Sequence, residues 1–350
     1  MLIDLVSWDN GYDWDKVIMN LGKEDEKKVK LPTFSYRPRK SDYIKITNHD
    51  LSSLDNLALE FEGDIYYFGN KAMKEMGSKG GSKKIKDDKF KDKIELLKLA
   101  VAVEHMIGID LKDDTIVIDN LAVGLNIGAF PNYVEEIEDY YKGMRIHYKT
   151  PQGIDRTIRI NNCYCYIQGP AALSNESLDC EGRAIEDKYD NKTYGIIDIG
   201  GKTVDGLVFS KGEPIAETII KMDLGTTQAF EDVSRETGIP INKVQECYFN
   251  NEFDVYYDNE KADEDGYHHL KDKFEIAFDE LADKIVDEIT FKWSNFINLM
   301  EFVLTFGGGA ESLNEPLSNK ISKRIKVADD AQFANVKGYY KECKRDIREV

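Results

Sequence analysis

The sequence predicts an α/β protein made of two related domains, and three observations support this prediction. Apolar segments with the two-residue period of strands alternate with longer segments of helical periodicity. Two of the strand-like segments end in an aspartate followed closely by glycine, near residues 9 and 198, which suggests a duplicated fold. The length of 350 residues is enough for about two domains, each with a core of its own.

The predicted elements follow one another along the whole chain. Strands are predicted at residues 2–8, 64–68, 115–121, 158–167, 194–198, 206–209 and 301–306. Helices are predicted at residues 88–106, with a stripe at Phe90, Ile94, Leu97 and Val101, and around the apolar face of Phe274, Phe278, Leu281, Ile285 and Ile289. We expect residues 76–86 to form a basic loop and residues 250–269 to form an acidic surface insertion.

The charge balance restricts the classes of partner. Lys and Arg number 47 and Asp and Glu number 65, which gives a net charge of −18. An acidic surface repels phosphate groups, so we expect neither direct nucleic-acid binding nor attachment to acidic membranes. We find no transmembrane or secretory segment, and the five cysteines are irregularly spaced, so we expect reduced thiols in the cytoplasm.

The first candidate site follows the N-terminal strand. There the strand ends in Asp9, Asn10 and Gly11, and Lys16 follows five residues after the glycine. A hairpin of this kind can direct backbone N–H groups and one lysine at a phosphate, while Asp9 reaches a hydrated Mg²⁺. Asp-Asn-Gly is also a common turn that binds no ligand, and this alternative stays open.

The second candidate site follows the predicted strand at 194–198. Asp198 ends this strand, and the next residues include Gly200, Gly201, Lys202 and Thr203. Two glycines let the backbone approach an anion without an intervening Cβ, and the lysine and threonine add hydrogen-bond donors. The alternative is a tight hairpin that needs glycine only for the geometry of its turn.

The third candidate site is a glycine-rich end of the strand at 301–306. The strand runs into Gly307, Gly308 and Gly309, and Ala310 then begins a predicted helix. Such a segment permits close contact between the backbone and a flat base or a ribose phosphate. It is neither a Walker loop nor a Gly-x-Gly-x-x-Gly motif, because no Gly-Lys-Ser/Thr follows and the glycine spacing differs.

In this order, the three motifs resemble the phosphate-1, phosphate-2 and adenosine motifs of the actin, sugar kinase and heat-shock chaperone ATPase superfamily. Within that superfamily the chain looks like the bacterial actin-like plasmid-segregation proteins of the ParM/StbA type. Residues 332–341, Gln-Phe-Ala-Asn-Val-Lys-Gly-Tyr-Tyr-Lys, are similar to the C-terminal Ala-Asn-x-x-Gly signature of these proteins. Residues 67–72 and 123–125 resemble two further family segments, although Asn126 replaces the usual proline.

The resemblance implies an actin-like fold of two ribonuclease H-like domains, with a nucleotide and Mg²⁺ in the cleft between them. Domain I would comprise residues 1–166 and 325–350, and domain II residues 167–324. The implied nucleotide-binding residues are Asp9, Asn10, Gly11, Tyr12 and Lys16 in domain I, and Gly200, Gly201, Lys202, Thr203, Gly225, Thr226, Gly307, Gly308, Gly309 and Ala310 in domain II. Asp9 and Asp198 would hold the metal through water.

The resemblance also implies two catalytic residues, Gln168 and Asp198. Actin-type proteins carry a Gln or Glu at the helix start that Gln168 occupies, and a glutamine there can orient water for in-line attack. A polar residue that only bonds backbone at a helix start is the alternative for Gln168. Tyr12 and Asp13 depart from the small or polar residues usual in the family, and Asp13 could place a negative charge near the γ-phosphate.

The leading functional hypothesis is a polymerising ATPase whose filaments segregate plasmid DNA through a DNA-binding adaptor. GTP is a further possible nucleotide. In such filaments, the Lys-rich residues 79–93 are a candidate to pair with an acidic face of the next subunit. The alternatives are a monomeric small-molecule kinase of the same superfamily and a chaperone-like ATPase that signals by domain closure. The first would need a catalytic aspartate, for which we find no candidate placed better than Gln168.

Overall fold

The computed structural model describes residues 1–39, 51–76, 89–108, 111, 113–185, 189, 191–321 and 324–349. Two compact units divide the chain: Met1–Glu186 with Asn335–Val350, and Asp187–Ala334. Both divisions fall later along the chain than the predicted boundaries after residues 166 and 324. Two contacts explain the difference: Gly169 bonds to Asn335 within the first unit, and the strand that starts at Ile325 pairs within the second.

A nine-stranded sheet organises the first unit. Its strands are β1 (Leu2–Asn10), β2 (Trp14–Met19), β3 (Lys27–Pro32), β4 (Ser35–Tyr36), β5 (Ala58–Phe61), β6 (Asp64–Phe68), β7 (Thr115–Leu125), β8 (Arg145–Lys149) and β9 (Asp155–Ile167). They lie in the order β3-β2-β1-β7-β9-β8-β5-β6-β4. The central pairs β1–β7 and β7–β9 are parallel, whereas β1, β2 and β3 form an antiparallel meander.

Among the described residues, four α-helices of the first unit precede the second unit in the chain. They are α1 (Gly69–Met76), α2 (Lys93–Ile107), α3 (Phe130–Tyr141) and α4 (Pro170–Ser177). Helix α2 is the core helix, since Leu97, Leu99 and Val101 are fully buried. It begins later than the predicted residue 88, because the Asp92 carboxylate accepts the N–H of Ile94 and caps the helix there.

A five-stranded sheet organises the second unit, and a separate two-stranded hairpin accompanies it. The strands are β10 (Thr193–Ile199), β11 (Val204–Ser210), β12 (Glu213–Met222), β13 (Asp254–Tyr256), β14 (Tyr267–His269), β15 (Phe302–Phe306) and β16 (Ile325–Val327). The helices are α5 (Thr226–Thr237), α6 (Ile241–Asn250), α7 (Lys271–Lys292) and α8 (Ala310–Lys320). The large sheet has the order β12-β11-β10-β15-β16.

The core of the second unit forms between its sheet and α7. All five apolar residues predicted for this helix face are buried, and the predicted face is therefore confirmed. After the helix, the fully buried Trp293 donates from its indole N–H to the carbonyl of Thr218 at 2.7 Å. Glycines at 195 and 206 make room for this ring, because a Cβ at either would lie 2.7 to 3.0 Å from it.

The two large sheets share one plan. In each, three antiparallel strands are followed by two parallel ones, as β3-β2-β1-β7-β9 and as β12-β11-β10-β15-β16. The predicted duplication of the fold is therefore visible in the strand order.

The C-terminal helix α9 (Ala334–Glu349) completes the first unit. Its Tyr339 is fully buried and stacks on Tyr166, with ring centroids 6.4 Å apart. The Tyr166 hydroxyl in turn donates to Asp346 at 3.0 Å, and Lys344 forms an ion pair with Asp4. These contacts fix α9 against strands β1 and β9.

Several smaller expectations have different outcomes. Residues 250–269 carry the exposed hairpin β13–β14, where Tyr256 and Tyr267 are exposed, in agreement with the predicted surface insertion. Most of the predicted basic loop at 76–86 lies outside the described residues.

All five cysteines are free thiols. Within the described part of the chain, no helix has the length and apolar character needed to cross a bilayer.

Candidate functional site

The candidate residues of the first unit lie mainly on the hairpin formed by β1, β2 and residues 11–13, here called the first hairpin. Register pairs Asp9 with Lys16 across the two strands. Directly opposite residues of an antiparallel pair carry their side chains on the same face. Gly11 is required in the turn, because a Cβ there would lie 2.5 Å from the carbonyl oxygen of Trp14.

Asp9 contacts two other candidate residues of the first unit. Its side chain is nearly buried, with 4% of the residue exposed. The oxygen Oδ2 pairs with Lys16 Nζ at 3.1 Å, and Oδ1 accepts from Gln168 Nε2 at 3.1 Å. The structure thus brings together three of the predicted residues, Asp9, Lys16 and Gln168, which we call the first cluster. Asn10 and Tyr12 lie next to it in the same hairpin, half-buried.

Backbone contacts hold Gln168 in place. Its N–H donates to the carbonyl of Leu125 at the end of β7, at 2.8 Å. The next residue, Gly169, has a φ of +93°, which favours glycine, and its N–H donates to Asn335 Oδ1 at 2.9 Å. Asn335 is buried. The sequence pointed to Asn335 only as part of a family signature, and its contact with the residue after Gln168 was not predicted.

The glycine of the same signature has a packing role. A Cβ at Gly338 would lie 1.8 Å from the carbonyl oxygen of Ala171 in α4, so only glycine fits. Likewise, a Cβ at Gly124 would lie 2.1 Å from the ring of Tyr339. Ser7 on β1 donates to the carbonyl of Val336 at 2.6 Å. Close approach of α9 therefore fixes the segment that carries Gln168 relative to β1.

The candidate residues of the second unit lie on the hairpin formed by β10, β11 and residues 200–203, here called the second hairpin. Gly200 donates its N–H to the carbonyl of Thr203 at 2.9 Å and closes the turn. Lys202 is half-buried in this turn. The start of α5 packs on the turn, because Thr226 N–H donates to the Gly200 carbonyl at 3.1 Å. A Cβ at Gly225 would lie 2.5 Å from that same carbonyl oxygen.

The glycine segment 307–309 packs on the second hairpin. Gly307 has a φ of +90°, and a Cβ there would lie 2.5 Å from Asp198 Oδ1. Gly309 donates its N–H to the carbonyl of Ile199 at 2.9 Å, and helix α8 begins at Ala310. A Cβ at Gly308, in contrast, would meet no protein atom within 4 Å. The segment is therefore held at both ends, with open space over Gly308.

Asp205 is a further acidic residue of the second hairpin. Register places it opposite Asp198 on β10 and opposite Lys221 on β12. Burial raises the pKa of Asp205 to about 6, with Lys221 lowering the pKa and Asp223 raising it further. Its Oδ1 is buried and has no hydrogen-bond partner within the described structure. The predicted motif included this residue without assigning it a role.

The predicted site residues therefore fall into two groups, one in each unit. The first unit holds Asp9, Asn10, Gly11, Tyr12, Lys16 and Gln168. The second unit holds Asp198, Gly200, Gly201, Lys202, Thr203, Gly225, Thr226, Gly307, Gly308, Gly309 and Ala310. Gln168 was predicted for domain II and lies in the first unit.

A direct protein cage for a metal is absent from the described ranges, where no three His, Cys, Asp or Glu side chains converge. Both oxygens of Asp9 are engaged by Lys16 and Gln168. Mg²⁺ commonly keeps several waters and binds through one or two carboxylates and substrate phosphates. The carboxylate of Asp9 at the end of β1 therefore fits contact with a water of a hydrated Mg²⁺, which phosphate oxygens would largely hold.

Comparison with known families identifies the class of protein. Residues 7–170 match the model of the N-terminal domain of actin-like proteins. Residues 196–319 match the model described as the C-terminal part of the archaeal actin homologue MreB-like proteins. The fold and the two models together define an actin-like protein. The two matches together cover most of the chain and confirm the resemblance to actin-like proteins that the three motifs predicted.

Comparison with solved structures supports the same fold over the full chain. The actin-like protein Alp7A has a TM-score of 0.79 at 16% identity, covering 100% of this chain and 97% of Alp7A. The archaeal actin homologue Ta0583, in complex with ADP, has a TM-score of 0.72 at 19% identity, with coverage of 98% and 100%. A ParM from a 15-stranded filament of Clostridium botulinum has a TM-score of 0.71 at 21% identity, with coverage of 99% and 100%. No curated protein matches the sequence.

Proposed function

We propose that this protein is a nucleotide-dependent ATPase that assembles into filaments. The observation that carries the proposal is the first cluster, in which Asp9 holds both a lysine and a glutamine at the end of a strand. A lysine and a water-orienting amide are parts that phosphoryl transfer requires, because the loose transition state needs mainly positioning and charge stabilisation.

In this proposal the first unit supplies a charge and a water-orienting group. Lys16, fixed by its ion pair with Asp9, faces the β- and γ-phosphates together with backbone N–H groups of the turn at Gly11 and Tyr12. The Gln168 amide orients the attacking water. When bound, Mg²⁺ neutralises charge on the phosphate oxygens. Asp9 fixes both polar partners, so it couples the position of the water to that of the lysine.

The second unit supplies backbone contacts. Gly200 and Gly201 form a turn without Cβ atoms, which lets a phosphate approach the backbone, and Lys202 and Thr203 add donors for the phosphates. Asp198 would hold a hydrated Mg²⁺ through water and would help to orient the attacking water. The open space over Gly308 suits the close approach of a nucleoside, which Gly225, Thr226 and Ala310 would flank.

The proposal also includes filament formation and plasmid segregation. Support comes from the likeness to a ParM solved as a filament. Between residues 187 and 334 there are 30 Asp and Glu against 16 Lys and Arg, so most of the net charge of −18 lies in the second unit. Because this charge disfavours direct DNA binding, we propose that a DNA-binding adaptor links the filament to the plasmid. The free cysteines suit a cytoplasmic protein.

A small-molecule kinase of the same superfamily is the second candidate. It would need a carboxylate base beside the γ-phosphate, whereas Asp9 is already engaged by two partners. Sedimentation of the purified protein with ATP, with GTP, with ADP and without nucleotide separates the candidates. We expect pelleting with a nucleoside triphosphate and little without it. Absence of nucleotide-dependent pelleting at micromolar protein, with turnover only on an added sugar, would establish the kinase instead.

A further inference from the structure

Helix α2 carries a buried ion pair that hydrogen bonds connect to the first hairpin. Glu95 and Lys98 are one helical turn apart, with Oε2 and Nζ at 2.7 Å, and their side chains are only 8% and 4% exposed. Lys98 Nζ also donates to the hydroxyl of Thr33 at 2.9 Å. Thr33 itself is buried and directly follows Pro32, the last residue of β3. The helix therefore contacts the strand through a charged and directional interaction.

Thr33 connects this ion pair to the turn of the first hairpin. Its backbone N–H donates to the carbonyl of Asp13 at 2.9 Å. Asp13 lies in the turn whose neighbours Gly11 and Tyr12 are predicted to contact phosphate. A continuous series of hydrogen bonds thus runs from Lys98 through Thr33 to the turn.

Stability alone does not account for a charged pair in this position. Taking two charges out of water costs about as much free energy as their attraction returns, so well-packed apolar residues often serve as well or better. A hydrogen bond from a lysine is directional, and it therefore fixes the position of its acceptor. Here the acceptor is the residue that anchors the turn.

We propose that Lys98, held by Glu95, is a positioning residue that sets the first hairpin for nucleotide phosphates through Thr33. The inference rests on the proposed nucleotide site and adds a layer of residues behind it. None of the three residues touches the nucleotide; they act through the backbone of Asp13.

The same helix offers a matched control. Glu104 and Arg156 form a second buried ion pair, with Oε1 and Nε at 2.8 Å and both side chains 2% exposed. Glu104 also accepts from the hydroxyl of Tyr148. This pair ties α2 to β8 and β9, and its described contacts do not include the first hairpin. If loss of a buried ion pair weakened nucleotide binding only by loosening the core, removal of either pair would change the nucleotide constants equally.

The experiment compares two kinds of variant. Thr33→Val removes the hydroxyl acceptor, and Thr33→Ser retains it. Glu95→Gln with Lys98→Met removes the first ion pair, and Glu104→Gln with Arg156→Met removes the control pair. For each variant the KM and kcat of ATP hydrolysis, the dissociation constant of ADP and the thermal midpoint of unfolding are measured.

We expect Thr33→Val and the Glu95–Lys98 double variant to raise the KM and the ADP dissociation constant about tenfold, with a smaller change in kcat. Thr33→Ser and the control pair should leave both constants within about twofold, whatever their effect on the thermal midpoint. Unchanged nucleotide constants in the first two variants, or an equal rise in the control pair, would overturn the proposal.

Amide hydrogen exchange at Thr33 separates this inference from the proposed function. The rate reports the Thr33–Asp13 hydrogen bond without any nucleotide. We expect faster exchange in the Glu95–Lys98 double variant than in the control pair. If the unaltered protein binds no nucleotide, the proposed function fails, and unchanged exchange at Thr33 refutes the positioning role independently.

Discussion

The side-chain amide of Gln168 donates to Asp9 Oδ1 at 3.1 Å, across 159 residues of sequence. Asp9 simultaneously pairs with Lys16, so one buried carboxylate fixes both a cation and an amide. Such an arrangement holds groups in place before a ligand arrives, which is the main contribution that a protein makes to phosphoryl transfer. The relationship leads directly to the first prediction.

Replacing Gln168 with alanine should slow ATP hydrolysis by about a hundredfold, because the attacking water loses its orienting group. The dissociation constant of ADP should change less than threefold, since the lysine and the backbone donors remain. Steady-state hydrolysis and nucleotide titration measure the two effects. Gln152→Ala, in the exposed turn between β8 and β9, is the control and should behave as the unaltered protein. Hydrolysis at the original rate would remove Gln168 from the mechanism.

Two neighbouring glycines should respond differently to the same substitution. Gly307→Ala must accept a φ of +90° and a Cβ 2.5 Å from Asp198 Oδ1, so we expect a loss of about 2–4 kcal/mol in the free energy of unfolding. Gly308→Ala meets no protein atom within 4 Å and should change that free energy by less than about 0.5 kcal/mol. Chemical denaturation measures both.

Gly308→Ala also tests the placement of the nucleoside. Because its methyl group would enter the open space, we expect weaker nucleotide binding in a protein of unaltered stability. If ADP binds this variant as tightly as the original protein, then Gly308 does not line the nucleotide site.

The three motifs were predictable because each is local. A strand, its terminal aspartate and the following glycines lie within about a dozen residues, and glycine spacing directly reflects the need for a close approach. The contact of Gln168 with Asp9 was not predictable from spacing, since it depends on β7, β9 and α9 meeting in the folded unit. The domain boundaries differ for the same reason: β16 pairs with β15 in the second unit, although the sequence there resembles a return to the first.

Asp205 should make the stability of the protein depend on pH. Its folded pKa of about 6 lies above the ordinary value of 3.8, so its contribution to stability is present at low pH and is lost as the pH rises through 6. A shift of this size corresponds to about 2–3 kcal/mol. Asp205→Asn should therefore become progressively more stable than the original protein as the pH rises from about 4 to about 6, and the difference should stay constant at higher pH.

Denaturation of both proteins across that pH range measures the difference. The exposed Asp258→Asn serves as control and should show a difference that stays nearly constant with pH. A pH-independent difference for Asp205→Asn would mean that the carboxyl group is not destabilised by burial. Sequence could not have given this prediction, because the pKa depends on the burial of β11 between two neighbouring strands.

Removing the side chain of Asn335 should loosen the segment that carries Gln168. In Asn335→Ala the N–H of Gly169 loses its acceptor in a buried environment, and we expect a loss of about 1–3 kcal/mol in the free energy of unfolding. Hydrolysis should slow as well, because Gln168 is the adjacent residue. Faster amide exchange at Gly169 would report the change locally.

The exposed Asn132→Ala in α3 is the matched control and should leave both stability and hydrolysis unchanged. Unaltered exchange at Gly169 in the Asn335 variant would contradict the assigned contact. The C-terminal signature pointed to this residue, but only the fold showed that its partner is the N–H of Gly169, next to Gln168.

Electron microscopy of the purified protein with and without nucleotide shows directly whether nucleotide drives assembly. We expect filaments in the presence of ATP or GTP at micromolar protein and none, or very few, without nucleotide. Gly308→Ala should require more nucleotide to reach the same filament density. Particles that remain unassembled under every nucleotide condition, or filaments that form equally well without nucleotide, would refute nucleotide-dependent filament assembly.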